Sequence, residues 1–241
     1  FFGHYLKGEK NGWNKQPKVQ LQIRHPGEVF VERHENEWPL KRTEWTKFYL
    51  DPHDMSMSTT AQKRKGEAAY EGFSEGVTFM TPPLEEDMEI TGPIASKLWV
   101  SSDTEDADLF LVVRAFAPDM KELTFQGALD PHTPLAQGWL RVSHRKLDEK
   151  KSLSYRPYHT HDEEQPLVPG KVYEVDVEVW PTCINIPKGY RVALSVRGND
   201  YVYPGDSSVQ VGEYANWNGC GLFTHNDPRD RPAHIFGGGV K

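Results

Sequence analysis

The sequence predicts an all-β sandwich, and three observations carry that prediction. Along residues 172–180, Tyr173, Val175, Val177 and Val179 alternate with Glu174, Asp176 and Glu178, which is the two-residue period of a strand with one wet face. Past Pro181 and a bend holding Pro187 and Gly189, Tyr190, Val192, Leu194 and Val196 repeat the alternation. The run LFLVVRAF at 109–116 is almost continuously apolar, as a strand buried on both faces or at the sandwich centre requires. Elsewhere the strand signals are short, many and separated by Gly, Pro, Asn and Asp, with no helix signal beyond the first turns.

Taken in chain order, the first element is that helix. Phe1, Phe2, Tyr5 and Leu6 form one apolar helical face and Gly8 supplies a stop, with no basic region or cleavage site of a secretory signal. Strands are expected at 19–24, 44–50, 77–80, 96–101, 109–116, 138–143, 172–180, 190–196 and 234–240. The strand at 172–180 is expected to stop before Pro181 and to meet the strand at 190–196 across the bend. Long polar connections fall at 51–66, 147–170 and 200–230, lengths that usually belong to functional or mobile loops; 51–66 is poor in apolar residues and is expected to be a mobile excursion. The apolar stretch at 234–240 has no finishing strand after it, so the sequence reads as a piece of a longer chain.

Charge narrows the partners. With 28 basic and 35 acidic residues the formal charge is −7, and no basic block offers a nucleic-acid or anionic-membrane surface. No apolar run approaches the roughly 20 residues of a membrane helix. Cys183 and Cys220 are too few for a disulfide framework and lack metal spacing; both are expected as free thiols, with a single bridge between them left open. A soluble cytoplasmic protein without cofactor or metal is the expectation.

Four motifs could carry chemistry. GFSEG at 72–76 fits the G-x-S-x-G pattern, but a nucleophile elbow needs a strand before it and a helix after it, whereas KRKGEAAYE precedes and VTFMTPP follows. A turn between strands is the expected role of Ser74. In HTHDEE at 159–164, His159 and His161 are metal-capable, yet a third ligand would have to come from the fold, so a polar loop is expected. DTEDAD at 103–108 lacks the glycine and closing glutamate of an EF-hand loop; its carboxylates are expected to cap the turn before Leu109. Most of the seven tryptophans suit strand packing, but Trp217, within NWNGCGLFTHND, falls in the last long loop.

Those residues also carry a resemblance. DTEDADLFLVVRAFAPD, FQGALDPHTP, PLVPGKVYEVDVEVWPT and IPKGYRVALSVRGNDY are similar to the C-terminal jelly-roll (galactose-binding-like) domain of the cocaine esterase and X-Pro dipeptidyl-peptidase (CocE/NonD) family of serine hydrolases. The resemblance implies a jelly roll at 17–241, lacking its final strand, and assigns 1–16 to the tail and linker of a preceding α/β-hydrolase domain. It implies that the Ser, Asp and His of the parent enzyme precede Phe1, so that no residue of this chain is catalytic. The implied partners are the hydrolase and cap domains of the parent chain, with a small ester or peptide substrate bound there. Phe1, Phe2, Tyr5 and Leu6 are the expected interdomain contact. His159, His161, Tyr203 and Trp217, lying in the long loops, are the expected wall of the substrate pocket.

The alternative from another class is a free-standing carbohydrate- or ligand-binding sandwich, because jelly rolls also serve as lectins. Against it stands the apolar first helix, which an independent module would leave exposed.

Overall fold

A computed structural model describes residues 1–61, 63–127 and 131–204; the expected strand at 234–240, Trp217 and Cys220 lie outside the described residues. After a short helix α1 (Phe2–Lys7), ten strands follow: β1 (Val19–His25), β2 (Val29–Glu35), β3 (Tyr49–Asp51), β4 (Ser56–Ser58), β5 (Val77–Met80), β6 (Met88–Val100), β7 (Asp108–Phe116), β8 (Ala136–Arg141), β9 (Tyr173–Ile186) and β10 (Arg191–Arg197). One sheet has the order β2-β1-β9-β6 and the other β3-β4-β5-β10-β7-β8, and the two pack face to face as a jelly-roll sandwich.

The core is the meeting of two alternating patterns. From β9, Val175, Val177, Val179, Ile184 and Ile186 point inward and are essentially fully buried; from β7, Leu109, Leu111, Val113 and Ala115 answer them, joined by Val192 and Val196 of β10 and Phe79 of β5. Burying each such valine, leucine or isoleucine is worth about 1.5–3 kcal/mol, and a one-residue slip would turn the whole set to solvent, so this face fixes the register. The continuously apolar β7 is an interior strand of its sheet, between β10 and the edge strand β8. Its other face, with Phe110, Val112 and Phe116, is buried as well.

Several expected boundaries move, each for a visible reason. The strand expected at 172–180 does not stop at Pro181 but runs on to Ile186. It pairs with β6 as Gly92↔Thr182 and then Ile94↔Val179, so Trp180 and Pro181 together oppose Pro93. This bulge removes the need for a ladder N–H at either proline, and the extra residue shifts the inward face from odd to even numbers. Gly92 sits beside it at φ +150°, a conformation that side chains rarely adopt. The expected 96–101 is thus only the second half of β6. Nor do β9 and β10 pair with each other: the bend at Gly189 carries the chain from one sheet to the other.

The strand expected at 44–50 shrinks to Tyr49–Asp51, because residues 44–47 have no neighbouring strand; Trp45 instead stacks on Tyr155, centroids 4.5 Å apart and planes 9° off parallel. The excursion at 51–66 is tied into the sheet through β4, which buries Met57 and pairs with β3. At 138–143 the strand begins earlier, at Ala136, and gives way to a 3-10 turn at Val142–His144. Sequence patterning missed β2 altogether: it returns from β1 through Pro26, Gly27 and Glu28, with φ of +81° and +58° at the last two.

Where β8 passes β9 the two sheets meet at a corner. A Cβ on Gly138 would lie 2.1 Å from the Glu178 carbonyl oxygen and 2.9 Å from Val179 Cα, so only glycine admits this approach. Arg24 of β1 clasps the same corner, donating to the Leu135 carbonyl (2.9 Å) and to Thr182 Oγ1, which itself donates to Leu135 (3.1 Å). Gly138→Ala should therefore destabilise the fold by about 1–3 kcal/mol, the usual cost of overpacking; urea unfolding followed by tryptophan fluorescence measures it.

Candidate functional site

The structure sorts the candidate motifs by what their side chains already hold. Ser74 Oγ accepts from the Gly76 N–H (3.1 Å), its carbonyl accepts from Gly198 (3.2 Å), and Asn199 Nδ2 donates to the preceding Phe73 carbonyl (2.7 Å). Gly76 is left-handed at φ +68°, and a Cβ there would lie 1.9 Å from the Val196 carbonyl oxygen. β5, not a helix, follows. GFSEG is a latch between a turn and the end of β10, as its flanks predict.

The acidic run is likewise absorbed. Asp106 accepts from Ser143 N (2.9 Å), Ser143 Oγ (2.6 Å) and Ala107 N (2.9 Å), and Thr104 Oγ1 donates to its carbonyl (2.6 Å). Asp108 takes a two-pronged contact from Arg141 at 2.9 Å. These are turn caps and a cross-strand ion pair, as expected for DTEDAD.

The outer face of the larger sheet holds a buried ionic layer that the sequence did not announce. Arg114 of β7 donates from Nε (2.8 Å) and Nη2 (2.5 Å) to Glu122 and from Nη1 to Ser195 Oγ (3.3 Å), which pairs with Thr78 Oγ1 at 2.7 Å. Burial works against the Arg114 charge, and the Glu122 carboxylate more than offsets it, so the guanidinium is held more firmly protonated than usual. The Tyr201 ring, buried, covers both Arg114 and Arg197, whose guanidinium carbons lie 5.6 and 5.8 Å from its centre. Burial raises the Tyr201 phenol far above its ordinary pKa. Arg197 itself is destabilised as a cation chiefly by burial and donates to Asn199 (3.2 Å) and the Asp200 carbonyl (3.3 Å).

Of the expected pocket-wall residues, the fold brings His159 and His161 together and adds a third ring, His144, from the 3-10 turn after β8. Ring centres are 5.5 Å apart for His144 and His161 and 5.9 Å for His159 and His161. His144 Nδ1 and His159 Nε2 are buried without a hydrogen-bond partner, and His144 Nε2 lies 4.0 Å from a Glu164 oxygen. Burial lowers the His159 pKa, the Asp176 backbone works against that shift, and His161 adds to it. Among the described residues no group of three His, Cys, Asp or Glu is placed to hold a metal ion. His144 stands fifteen residues before His159 and outside any His-rich string, so no local pattern marks it. Tyr203 joins a different neighbour, stacking on His132 at 4.0 Å on the chain leading into β8.

Around α1, Phe1, Phe2, Tyr5 and Leu6 are 58–77% exposed, and on β2 Val29, Phe30 and Val31 are about half exposed. The helix ends at Gly8, φ +68°, as expected, with Glu9 N donating to Gly3 O at 3.0 Å. Cys183 is a free, half-buried thiol whose pKa burial raises. No helix among the described residues is long and apolar enough to cross a membrane.

Two packed sheets in which the motif serine, the acidic run and the buried ion pair all hold structural hydrogen bonds define a β-domain of the jelly-roll class. Over residues 11–207 the chain matches the X-Pro dipeptidyl-peptidase C-terminal non-catalytic domain, and it belongs to that family. It is 27% identical to a CocE/NonD family hydrolase from Staphylococcus aureus, whose crystal structure superposes on 99% of this chain and 41% of that chain with a TM-score of 0.83. It is 22% identical over 239 residues to the cocaine esterase of Rhodococcus sp., covering 83% of this chain and 37% of that protein. An aminopeptidase from a Thaumarchaeota archaeon, 15% identical with a TM-score of 0.63 over all of this chain and 40% of its own, shares the fold. The chain spans from 19% to 37% of the length of the curated relatives it matches.

Breaking the buried ion pair tests the structural reading. Glu122→Ala strands the Arg114 charge and should cost about 3–5 kcal/mol, read as a lower midpoint in urea; the paired change Arg114→Met with Glu122→Leu should restore most of it.

Proposed function

We propose that this chain is the supporting C-terminal sandwich of a serine hydrolase that cleaves an ester or amide bond. The observation that carries it is the overlay of nearly the whole chain on two fifths of a CocE/NonD hydrolase. The parent reaction would be acylation of a serine by a histidine base oriented by an aspartate, then attack of water on the acyl-enzyme. Those groups belong to the rest of the parent protein; in this chain, Ser74 is tied to Gly76 and flanked by a strand.

In this reading the domain does two things. It docks on the hydrolase and cap domains through the exposed apolar face of Phe1, Phe2, Tyr5 and Leu6, in which the Phe1 ring meets Phe2, Tyr5 and also Trp13, the last at 5.6 Å. Its loops, with His159, His161, Tyr203 and Trp217, wall the pocket that receives a small ester or peptide. Residence in the cytoplasm is part of the same proposal, supported by a free Cys183 and the scarcity of cysteine.

Labelling with a serine-reactive fluorophosphonate separates the possibilities. The intact protein should take up one adduct on a serine outside these residues, in wild type and Ser74→Ala alike; an adduct on Ser74 would overturn the proposal. Leu6→Asp in the intact protein should weaken docking, lowering kcat/KM about tenfold or more while leaving the sandwich folded; unchanged kinetics would remove α1 from the interface.

A further inference from the structure

Residues 147–167 leave the sandwich and return to it as a flap. Leu147 and His159 pair as an isolated antiparallel bridge, Asp148 N donates to Tyr158 O (2.8 Å), and Thr160 N donates to Lys146 O (3.0 Å). Leu153 and Arg156 close the tip by exchanging backbone bonds of 3.0 and 2.9 Å. The return limb is pinned by Gln165 N to Ser143 O and Leu167 N to Glu105 O, both 2.7 Å. At the base of this flap stand His144 on the outgoing side and His159 and His161 on the return limb, with His161 in a left-handed conformation at φ +51°.

Neighbouring ring centres lie 5.5 and 5.9 Å apart, close enough for charges on adjacent rings to repel. The charges around them are largely committed: Lys146 sits 3.1 Å from Asp162 and 3.4 Å from Glu163, and Arg145 lies over the Tyr173 ring. From β9, Asp176 faces Lys97 of β6 at 2.9 Å, and Glu174 pairs with the same ammonium. From the acidic turn, Asp106 is held by Ser143, and the Glu105 backbone by Leu167. Glu164, 4.0 Å from His144, remains to receive a first proton charge. A second charge among rings 5.5 to 5.9 Å apart has no comparable partner, and the unpartnered buried nitrogens of His144 and His159 offer it no hydrogen bond.

We propose that the segment 147–167 is a pH-sensitive flap, closed by the neutral cluster His144, His159 and His161 and released when the cluster takes up protons. The sign follows from linkage. Because burial depresses His159, the closed flap binds fewer protons than the open one; its stability is complete above about pH 6.5, the ordinary histidine value, and is lost as pH falls below it. The device is independent of the hydrolase reading, since it needs only the flap and its three rings.

Hydrogen–deuterium exchange of the intact protein at pH 7.5 and 5.5, corrected for intrinsic exchange, tests it. Peptides across 147–167 should exchange several-fold faster at the lower pH, while those across 109–116 stay protected. His159→Gln should keep the flap protected at pH 7.5 and bring the ratio between the two pH values close to one. If that variant loses protection at both values, His144→Gln and His161→Asn carry the same test. A ratio near one in the wild type, or a ratio that survives these substitutions, would overturn the proposal. So would stoichiometric zinc binding abolished by each substitution, for the rings would then serve as ligands.

Discussion

A strand that must present one face to a core for fourteen residues has no freedom in its phase, and β9 carries a proline in its middle. Proline cannot donate to the ladder, so without relief the strand would end there and the core would lose Ile184 and Ile186. The bulge opposite Pro93 resolves the conflict by adding one residue, which changes the parity of the inward positions from Val179 to Thr182. Everything else is arranged around that result. β6 follows β9 along both halves, β1 lies against its far end at Arg24↔Ile184, and the corner at Gly138 sits beside the bulge, where Glu178 and Val179 approach β8.

The same dependence explains where the buried charge can go. With the inner face of β7 committed to leucine, valine and alanine, the polar residues of that strand fall on the outer face, where Arg114 lands between Ser195 and Glu122. A guanidinium there is tolerable only if fully hydrogen-bonded, and Tyr201 seals it under an aromatic lid. This layer adds little net stability over an apolar one, but Arg114 and Arg197 hold the segment carrying Asn199, Asp200 and Tyr201 across the sheet.

How much of this was legible in the sequence depends on how local each feature is. The two-residue period of 173–179, the apolar run of β7 and the turn chemistry around Ser74 and Asp106 are set by neighbours in the chain, and they lie where patterning places them. β2 escaped because its Val-Phe-Val start faces solvent and its remainder, ERHE, is charged, so no apolar alternation marks it. The continuation of β9 escaped because a proline reads as a stop unless the partner strand offers a bulge, which is a property of β6. His144 escaped for the same reason: its partners are fifteen and seventeen residues away, brought together by the flap's bridge at Leu147 and His159.

A rigid sandwich with its chemistry-capable groups at the margins is suited to serve something else. The positions that define the core, such as Leu111, Val177 and Ile184, are closed to solvent and to change, whereas the aromatic face of α1, the half-exposed start of β2 and the histidine-bearing flap all project from it. A free energy of folding concentrated in β6, β7, β9 and β10 lets those margins carry little of it, and segments of low local stability are the ones that can dock, wall a pocket or answer a change of pH without unfolding the domain. The flap illustrates the division. It is held by a few backbone bonds, the stack of Tyr155 on Trp45, the ion pairs of Lys146 and three rings, so loss of the rings' neutrality loosens its base while the alternating core beneath contains no group that titrates in the same range.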